Sequence, residues 1–399
     1  MTDPKEIITK YISKRNIITA VLFIVMVGLF LFFVVRPVVL NNSSDDIGQY
    51  NDVESSANSA ADAPNDDASA YTIFSINGKS IPISLFGYYL YNTLSRLEET
   101  YMTDELDFDT PTVEGIPLGQ YVINSSISGV KYNIAVETLA AELMIDSAKA
   151  EAEADEYLST TITETFGGDE AAFRRQLLTR GTTLESFRYI MIAHELGNQV
   201  FEHYYGEAWV SSVDPSIYYD RFVTTSNIFL LTAESEFDGT NEEMTETLHG
   251  EELIAQKRAL AGTILEELNA GRDFFELLNE YGEDRSVMIE NNPKQRYTFQ
   301  KNEMIDEYSN VAFSIDVEEY SDIIETPYGY YIIYRLPLDT EAVEEIVKSQ
   351  EFRNSLFNSM LDDLSKDFSF ESTSLFESTS LEALYSEYKE LNDQTMNNR

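Results

Sequence analysis

Few side chains in this chain of 399 residues could hold a metal or move a proton near neutral pH. There is no cysteine, which excludes thiolate ligands, disulfides and a lipid-modified cysteine anchor. Histidine occurs at His194, His203 and His249, too few and too scattered for a metal centre. His194 and His203 fall in one helical pattern and read as packing or surface residues. The acidic run around Glu236–Glu243 does not place its Gly and Glu at the positions of a calcium loop. No metal and no cofactor is expected. The abundant groups are aromatic, with 25 Tyr and 23 Phe, compatible with adaptable apolar contact at modest entropic cost.

The densest pattern lies between Ala261 and Leu336. A helix over Glu251–Ala270 ends before Gly271, Asp273-Phe274 opens a short helix to Tyr281, and Tyr281-Gly282-Glu283-Asp284 makes an acidic turn. A variable loop follows, then a helix over Met304–Phe313 and strands near Asp322–Glu325 and Tyr330–Leu336. A strand at Val223–Leu231 precedes all of this, and a further one is expected near Tyr297–Phe299. The order is α+β. This stretch resembles the parvulin (PpiC-type) family of peptidyl-prolyl isomerases, which implies a small antiparallel sheet with flanking helices.

Isomerising an X-Pro amide means crossing a barrier of about 18–20 kcal/mol without breaking a bond. An enzyme helps by seating the proline in an apolar pocket and stabilising the twisted amide by electrostatics and desolvation. The parvulin resemblance implies such a pocket and a polar ring of two histidines, an Asp or Cys, and a Ser or Thr. Position by position, Asn227 stands at the first histidine, within Ser226-Asn227-Ile228, and Tyr331 at the second, within Gly329-Tyr330-Tyr331-Ile332-Ile333. Asp284 takes the Asp or Cys position and Thr326 the Ser or Thr position. Phe299, Met304 and Tyr308 fall on the proline pocket, and Phe313 on the core Phe. The family's glycine-rich stretch corresponds to Pro293–Tyr297, which puts Arg296 at a pocket leucine. A guanidinium there is costly unless it points out. The candidate catalytic positions are thus Asn227, Asp284, Thr326 and Tyr331, and the candidate substrate-binding positions Phe299, Met304, Tyr308 and Arg296. Asp284 and Thr326 fit equally well as a capped turn and a strand-end hydroxyl. With both histidines replaced, weak or absent turnover is expected.

These elements sit in an acidic, anchored chain. The formal net charge is −43, with the acids spread along the whole length, which argues against nucleic acid. Residues 17–35 form an uncharged apolar run of bilayer-spanning length. Lys5, Lys10, Lys14 and Arg15 precede it, and residues 41–70 carry seven acids and no Lys or Arg. That asymmetry predicts a single transmembrane helix with a cytoplasmic N-terminus and an extracytoplasmic body. No small-x-small site follows the run, so an uncleaved anchor is expected over a signal peptide. Residues 41–70 lack the apolar content to offset chain entropy and read as a disordered tether.

Alternating apolar residues around Asn77-Gly78 predict a hairpin over Tyr71–Ile83. Helical patterns follow at Leu85–Tyr101, Gln120–Asp155, a short helix closed by Gly181, and a helix capped by Thr183 that runs to Tyr205. The pieces Ile76-Asn77-Gly78-Lys79-Ser80-Ile81, Met144-Ile145-Asp146-Ser147-Ala148 and Phe173–Phe187 are similar to the N-terminal chaperone region of the SurA and PrsA foldases. Glu341–Leu364 is amphipathic, and the resemblance implies a C-terminal helix packing back on the N-terminal domain. Phe370–Leu375 and Phe376–Leu381 repeat FESTSL in tandem, expected as a duplication in a surface tail, with frayed residues after it.

The expected layout is a cytoplasmic tail (1–16), an anchor (17–40), an acidic linker (41–70), a helical chaperone domain (71–217), a parvulin-like domain (218–340), and a C-terminal helix with polar tail (341–399). The expected function is a membrane-anchored foldase that binds unfolded, newly secreted polypeptides, its parvulin-like module serving mainly for binding. The alternatives are an active isomerase and a membrane-tethered scaffold with a repurposed fold.

Overall fold

The computed structural model describes residues 71–397 apart from residues 104, 113–114, 238–243, 249–250, 285–295 and 302. The apolar run at 17–35 and the tether at 41–70 lie outside the described residues. Among those described, no helix is long and apolar enough to cross a membrane. The chain divides into two compact units: the residues up to Ser211 together with those from Asn354, and Ser212–Arg353. The whole is α+β, mostly helical with small antiparallel sheets.

The first unit opens on strands β1 (Thr72–Ile76) and β2 (Lys79–Pro82). Asn77 and Gly78 join them with φ of 51° and 75°, the two positive values that match a hairpin's twist. Helices α1 (Ile83–Tyr101), α2 (Leu118–Glu142), α3 (Ser147–Thr165), α4 (Glu170–Leu178), α5 (Leu184–Tyr205) and α6 (Glu207–Ser212) follow. The one helix expected over Gln120–Asp155 is therefore two. After α2, Met144 takes φ 53°, and the Asp146 carboxylate restarts the chain by accepting the Ala148 amide at 3.0 Å. A cap that satisfies an otherwise orphaned amide outweighs a continued apolar period. Thr183 caps α5 as expected, its hydroxyl accepting the Ser186 amide at 3.3 Å. Just before it, Gly181 (φ 69°) lies against Gly87 of α1; a methyl group on Gly87 would meet the Gly181 carbonyl oxygen at 2.3 Å. Backbone passes backbone here, so neither position accommodates a side chain without movement.

The second unit begins with a 3-10 turn (Pro215–Arg221) and strand β3 (Phe222–Leu231). A hairpin of β4 (Ala233–Phe237) and β5 (Met244–Leu248) follows, unforeseen in the acidic run. Then come α7 (Glu251–Asn269), α8 (Phe274–Tyr281), β6 (Tyr297–Gln300), α9 (Asp306–Ser314), β7 (Ile324–Thr326) and β8 (Gly329–Leu336). The sheet order is β6-β3-β8-β7, all antiparallel, with the uncertain strand near Tyr297 found as an edge. The two faces of β3 serve different cores. Ile228 and Leu230 pack with Ile264, Leu268, Phe274 and Leu277 of α7 and α8, while Val223 packs with Phe299, Tyr308, Ala312 and Ile333 on the α9 side.

The amphipathic stretch over Glu341–Leu364 is also two helices, α10 (Thr340–Lys348) and α11 (Gln350–Lys366). Ser349 (ψ 155°) breaks them, and its hydroxyl accepts the Phe352 amide at 3.2 Å as a cap. Tyr218 and Phe222 set their rings against Phe352, 5.1 and 6.0 Å between centroids, which ties the start of the second unit to its end.

Past α11 the chain completes the first unit, whose core includes Phe357, Leu361, Phe368 and Tyr388. The repeat is not a loose surface tail. Its first copy supplies strand β9 (Phe370–Ser372), paired with β1, and α12 (Ser374–Ser378), capped by Thr373, begins in the first copy and runs into the second. Both copies place a phenylalanine on the fully buried Phe74, with ring centroids at 5.1 Å for Phe370 and 5.6 Å for Phe376. The residues expected to fray form α13 (Leu381–Asn397). This helix is held at Glu98 of α1, whose carboxylate accepts the Tyr385 hydroxyl at 2.6 Å and the Tyr388 hydroxyl at 3.0 Å, and meets Lys389 at 3.4 Å.

Candidate functional site

Strand periodicity builds the site. In β3, alternate residues share a face, so Thr225, Asn227 and Phe229 accompany Val223 toward α9. In β8, Tyr331 and Ile333 share that face; Asn227 pairs with Ile333 and Phe229 with Tyr331. Edge strand β6 adds Tyr297 and Phe299, opposite Thr225 and Val223. The helix α9 lays Tyr308 across the middle.

Tyr308 is 4% exposed and its hydroxyl is the hub of the polar groups. It shares a hydrogen bond with the Thr225 hydroxyl at 2.8 Å and receives one from Asn227 Nδ2 at 3.4 Å. Asn227 is 3% exposed, and its Oδ1 has no hydrogen-bond partner among the described residues. Tyr331 stacks on Phe229 (4.3 Å, 20°) and meets the ring of Tyr308 edge-on at 5.3 Å. Phe299 lies 5.8 Å from Tyr308, and Met304 is partly buried against the same cluster. Asp284 enters from the acidic turn, where its Oδ2 accepts the Tyr297 hydroxyl at 2.7 Å. The turn is pinned by its neighbour Glu283: its amide donates to Phe229 O at 2.9 Å, its carboxylate accepts the Leu231 amide at 2.9 Å and pairs with Lys257.

Seven of the eight sequence candidates belong to this sheet and its flanks. Asn227, Tyr331, Tyr308 and Phe299 form one cluster with Met304 at its border, and Asp284 joins through Tyr297. Thr326 sits at the β7–β8 turn: its hydroxyl donates to Gly329 O at 2.8 Å and accepts the Gly329 and Tyr328 amides at 3.2 and 3.3 Å. All its bonding is spent on the turn. Thr326→Val should therefore cost about 1–3 kcal/mol of stability, read as a lower denaturation midpoint, with ligand affinity unchanged once folded. The eighth, Arg296, has a side chain that is 46% exposed and lies 4.0 Å from the Asp339 carboxylate. Turning outward avoids the burial cost noted above. Sequence reasoning did not single out Thr225, Phe229 and Tyr297, although the period of two along β3 and β6 puts them on the site face.

Burial raises the Tyr308 hydroxyl to about 12, against the hydrogen bonds from Thr225 and Asn227. It raises Tyr331 further, with Asp284 adding to the effect. Both stay protonated through the neutral range. A phenol whose pKa is higher folded than unfolded stabilises the fold below its unfolded value near 10, and that contribution is lost as pH rises toward 12. For Tyr308 this amounts to roughly 3 kcal/mol. Denaturant titrations of the wild type at rising alkaline pH should show a steepening loss. Tyr308→Phe should start less stable, with Thr225 and Asn227 unpaired, and lose less.

Residues 223–335 match the PPIC-type PPIASE domain family. The likeness to that family covers these residues, less than half of the chain. This chain is 32% identical over 100 residues to foldase protein PrsA of Halalkalibacterium halodurans, covering 25% of this chain and 29% of that one. Foldase protein PrsA of Caldanaerobacter subterraneus subsp. tengcongensis is 22% identical over 217 residues, 54% of this chain and 60% of that one. The chain thus spans less than two thirds of these relatives' length. A crystal structure of peptidylprolyl isomerase PrsA from Bacillus cereus is 17% identical over 71% of this chain and 98% of that one, with a TM-score of 0.32, too low to bear on the fold.

Proposed function

We propose that this protein is an extracytoplasmic foldase that binds unfolded, newly secreted polypeptides, and that its parvulin domain serves for binding more than for isomerisation. The observation that carries the reading is the site itself. Where the resemblance places two histidines stand a buried amide, Asn227, and a ring stacked on Phe229, Tyr331. Such a face offers apolar and hydrogen-bonding contact to a chain but no imidazole to polarise an imide. The roles assigned to Asp284, Asn227 and Tyr331 as ligand contacts, and to Phe299, Met304 and Tyr308 as pocket walls, belong to this proposal. Thr326 is assigned to the turn and Arg296 to the rim.

The apolar run at residues 17–35, basic before and acidic after, supports a membrane anchor with the body outside the cytoplasm. The protein without its anchor should suppress aggregation of several unrelated unfolded clients at near-stoichiometric ratio, read by light scattering. Capture of one stoichiometric partner from secreted extract, with no protection of any unfolded client, would mean a scaffold instead.

A further inference from the structure

We propose that the parvulin-domain site accepts a cationic side chain, a lysine or arginine of an unfolded polypeptide, where a prolyl ring would otherwise seat. The inference rests on the foldase reading and names the feature of the client that the site recognises.

The walls are aromatic: the stacked pair Phe229–Tyr331 at 4.3 Å, Tyr308 edge-on to Tyr331 at 5.3 Å, and Phe299 at 5.8 Å from Tyr308. Ring faces carry negative quadrupole charge and attract cations. Two acceptors stand at these walls. Asp284 presents a carboxylate beside Tyr297, and its charge acts on both Tyr308 and Tyr331. Asn227, 3% exposed, holds an Oδ1 with no partner among the described residues. An acceptor so deeply buried is costly until a donor reaches it. A prolyl imide nitrogen has no hydrogen to give; an ammonium brings three N–H groups and a guanidinium five.

Among the described residues, two cations near the site have acidic partners away from it. Arg296 lies 4.0 Å from Asp339, and Lys257 is paired with Glu283. The same kind of seat is occupied within the first unit: Lys79 Nζ stands 4.4 Å over the Tyr189 ring and 2.6 Å from Glu137. With a net charge of −43, the protein also concentrates cationic segments around itself.

The test uses the protein without its anchor and labelled Gly/Ser host peptides that differ at one central residue: Lys, Arg, norleucine, Gln or Pro. Binding is followed by fluorescence anisotropy at low and high salt. The Lys and Arg hosts should bind about tenfold tighter than the others, less so at high salt. Asp284→Asn keeps an oxygen for the Tyr297 hydroxyl and should erase that preference, with an unchanged melting curve; Asn227→Leu should reduce it. The proposal is overturned if the Pro host binds tightest, if Lys and norleucine bind alike, or if Asp284→Asn leaves the preference intact, which would assign it to the acidic surface at large. Aggregation suppression in the same preparation separates the two readings. If it persists while the Lys preference is absent, only this inference fails; if it too is absent, the foldase reading fails with it.

Discussion

Asn227→His/Tyr331→His should accelerate X-Pro isomerisation at least about tenfold over the wild-type rate, with up to 10²–10³ expected from a restored preorganised donor pair. Asn227 and Tyr331 are not directly opposed: Asn227 pairs with Ile333 and Phe229 with Tyr331. They are diagonal neighbours on one face, a separation of roughly 7–8 Å that long side chains bridge. Two imidazoles there can hydrogen-bond each other beneath a peptide, whereas Asn227 now turns its amide to Tyr308 and Tyr331 spends its ring on Phe229. Each single substitution should do little. Asn227→His leaves no histidine partner, and Tyr331→His gives up the stack without gaining one. The measurement is a protease-coupled or exchange assay on all four proteins. Activity in either single variant equal to the double would show that the pair is not the missing part.

Phe74→Ala should be the most damaging single change in the first unit. Phe74 is fully buried and meets Phe86 at 5.4 Å, Phe370 at 5.1 Å and Phe376 at 5.6 Å, which joins β1, α1 and both copies of the repeat in one aromatic cluster. Large-to-small substitution of a buried phenylalanine costs about 3–5 kcal/mol, a sizeable share of a domain's net stability of about 5–15 kcal/mol. Phe370→Ala, at a residue 39% exposed, should cost well under half of that. Denaturant unfolding gives the ranking, and limited proteolysis after Lys366 gives the location. The strap from β9 to α13 should become cleavable in Phe74→Ala at denaturant levels where the wild type resists. Equal costs for the two variants would contradict the packing described.

The sequence exposed those features that depend on local period or local capping. The parvulin resemblance put Asn227 and Tyr331 at the two histidine positions, and alternation along β3 and β8 sets them on one face, while Asn77-Gly78 and Thr183 declared a turn and a cap. Two helix breaks were hidden because the apolar period runs through them. Only the Asp146 and Ser349 caps, each competing with a continued helix, marked the places. Strand β9 was illegible for another reason. It is three exposed residues, and what fixes it is a partner far away in sequence: Thr373 donates to the Ile73 carbonyl at 2.6 Å, 300 positions off. Arg296 shows what register leaves open, since a position in the chain does not say that its side chain stands 4.0 Å from Asp339. The unpaired Oδ1 of Asn227 is a property of packing alone, because it depends on where α9 sets the Tyr308 hydroxyl.

Under the proposed reading, the parvulin-like domain keeps its fold and its ligand face but not its isomerase chemistry. The most direct test measures both properties on one preparation of the protein without its anchor: X-Pro isomerisation of a short peptide, and suppression of aggregation of an unfolded client. The account predicts an isomerisation rate indistinguishable from buffer together with near-stoichiometric suppression, weakened when Tyr308 or Tyr331 is replaced by alanine. Turnover comparable to a histidine-bearing parvulin, or suppression indifferent to both tyrosines, would contradict it.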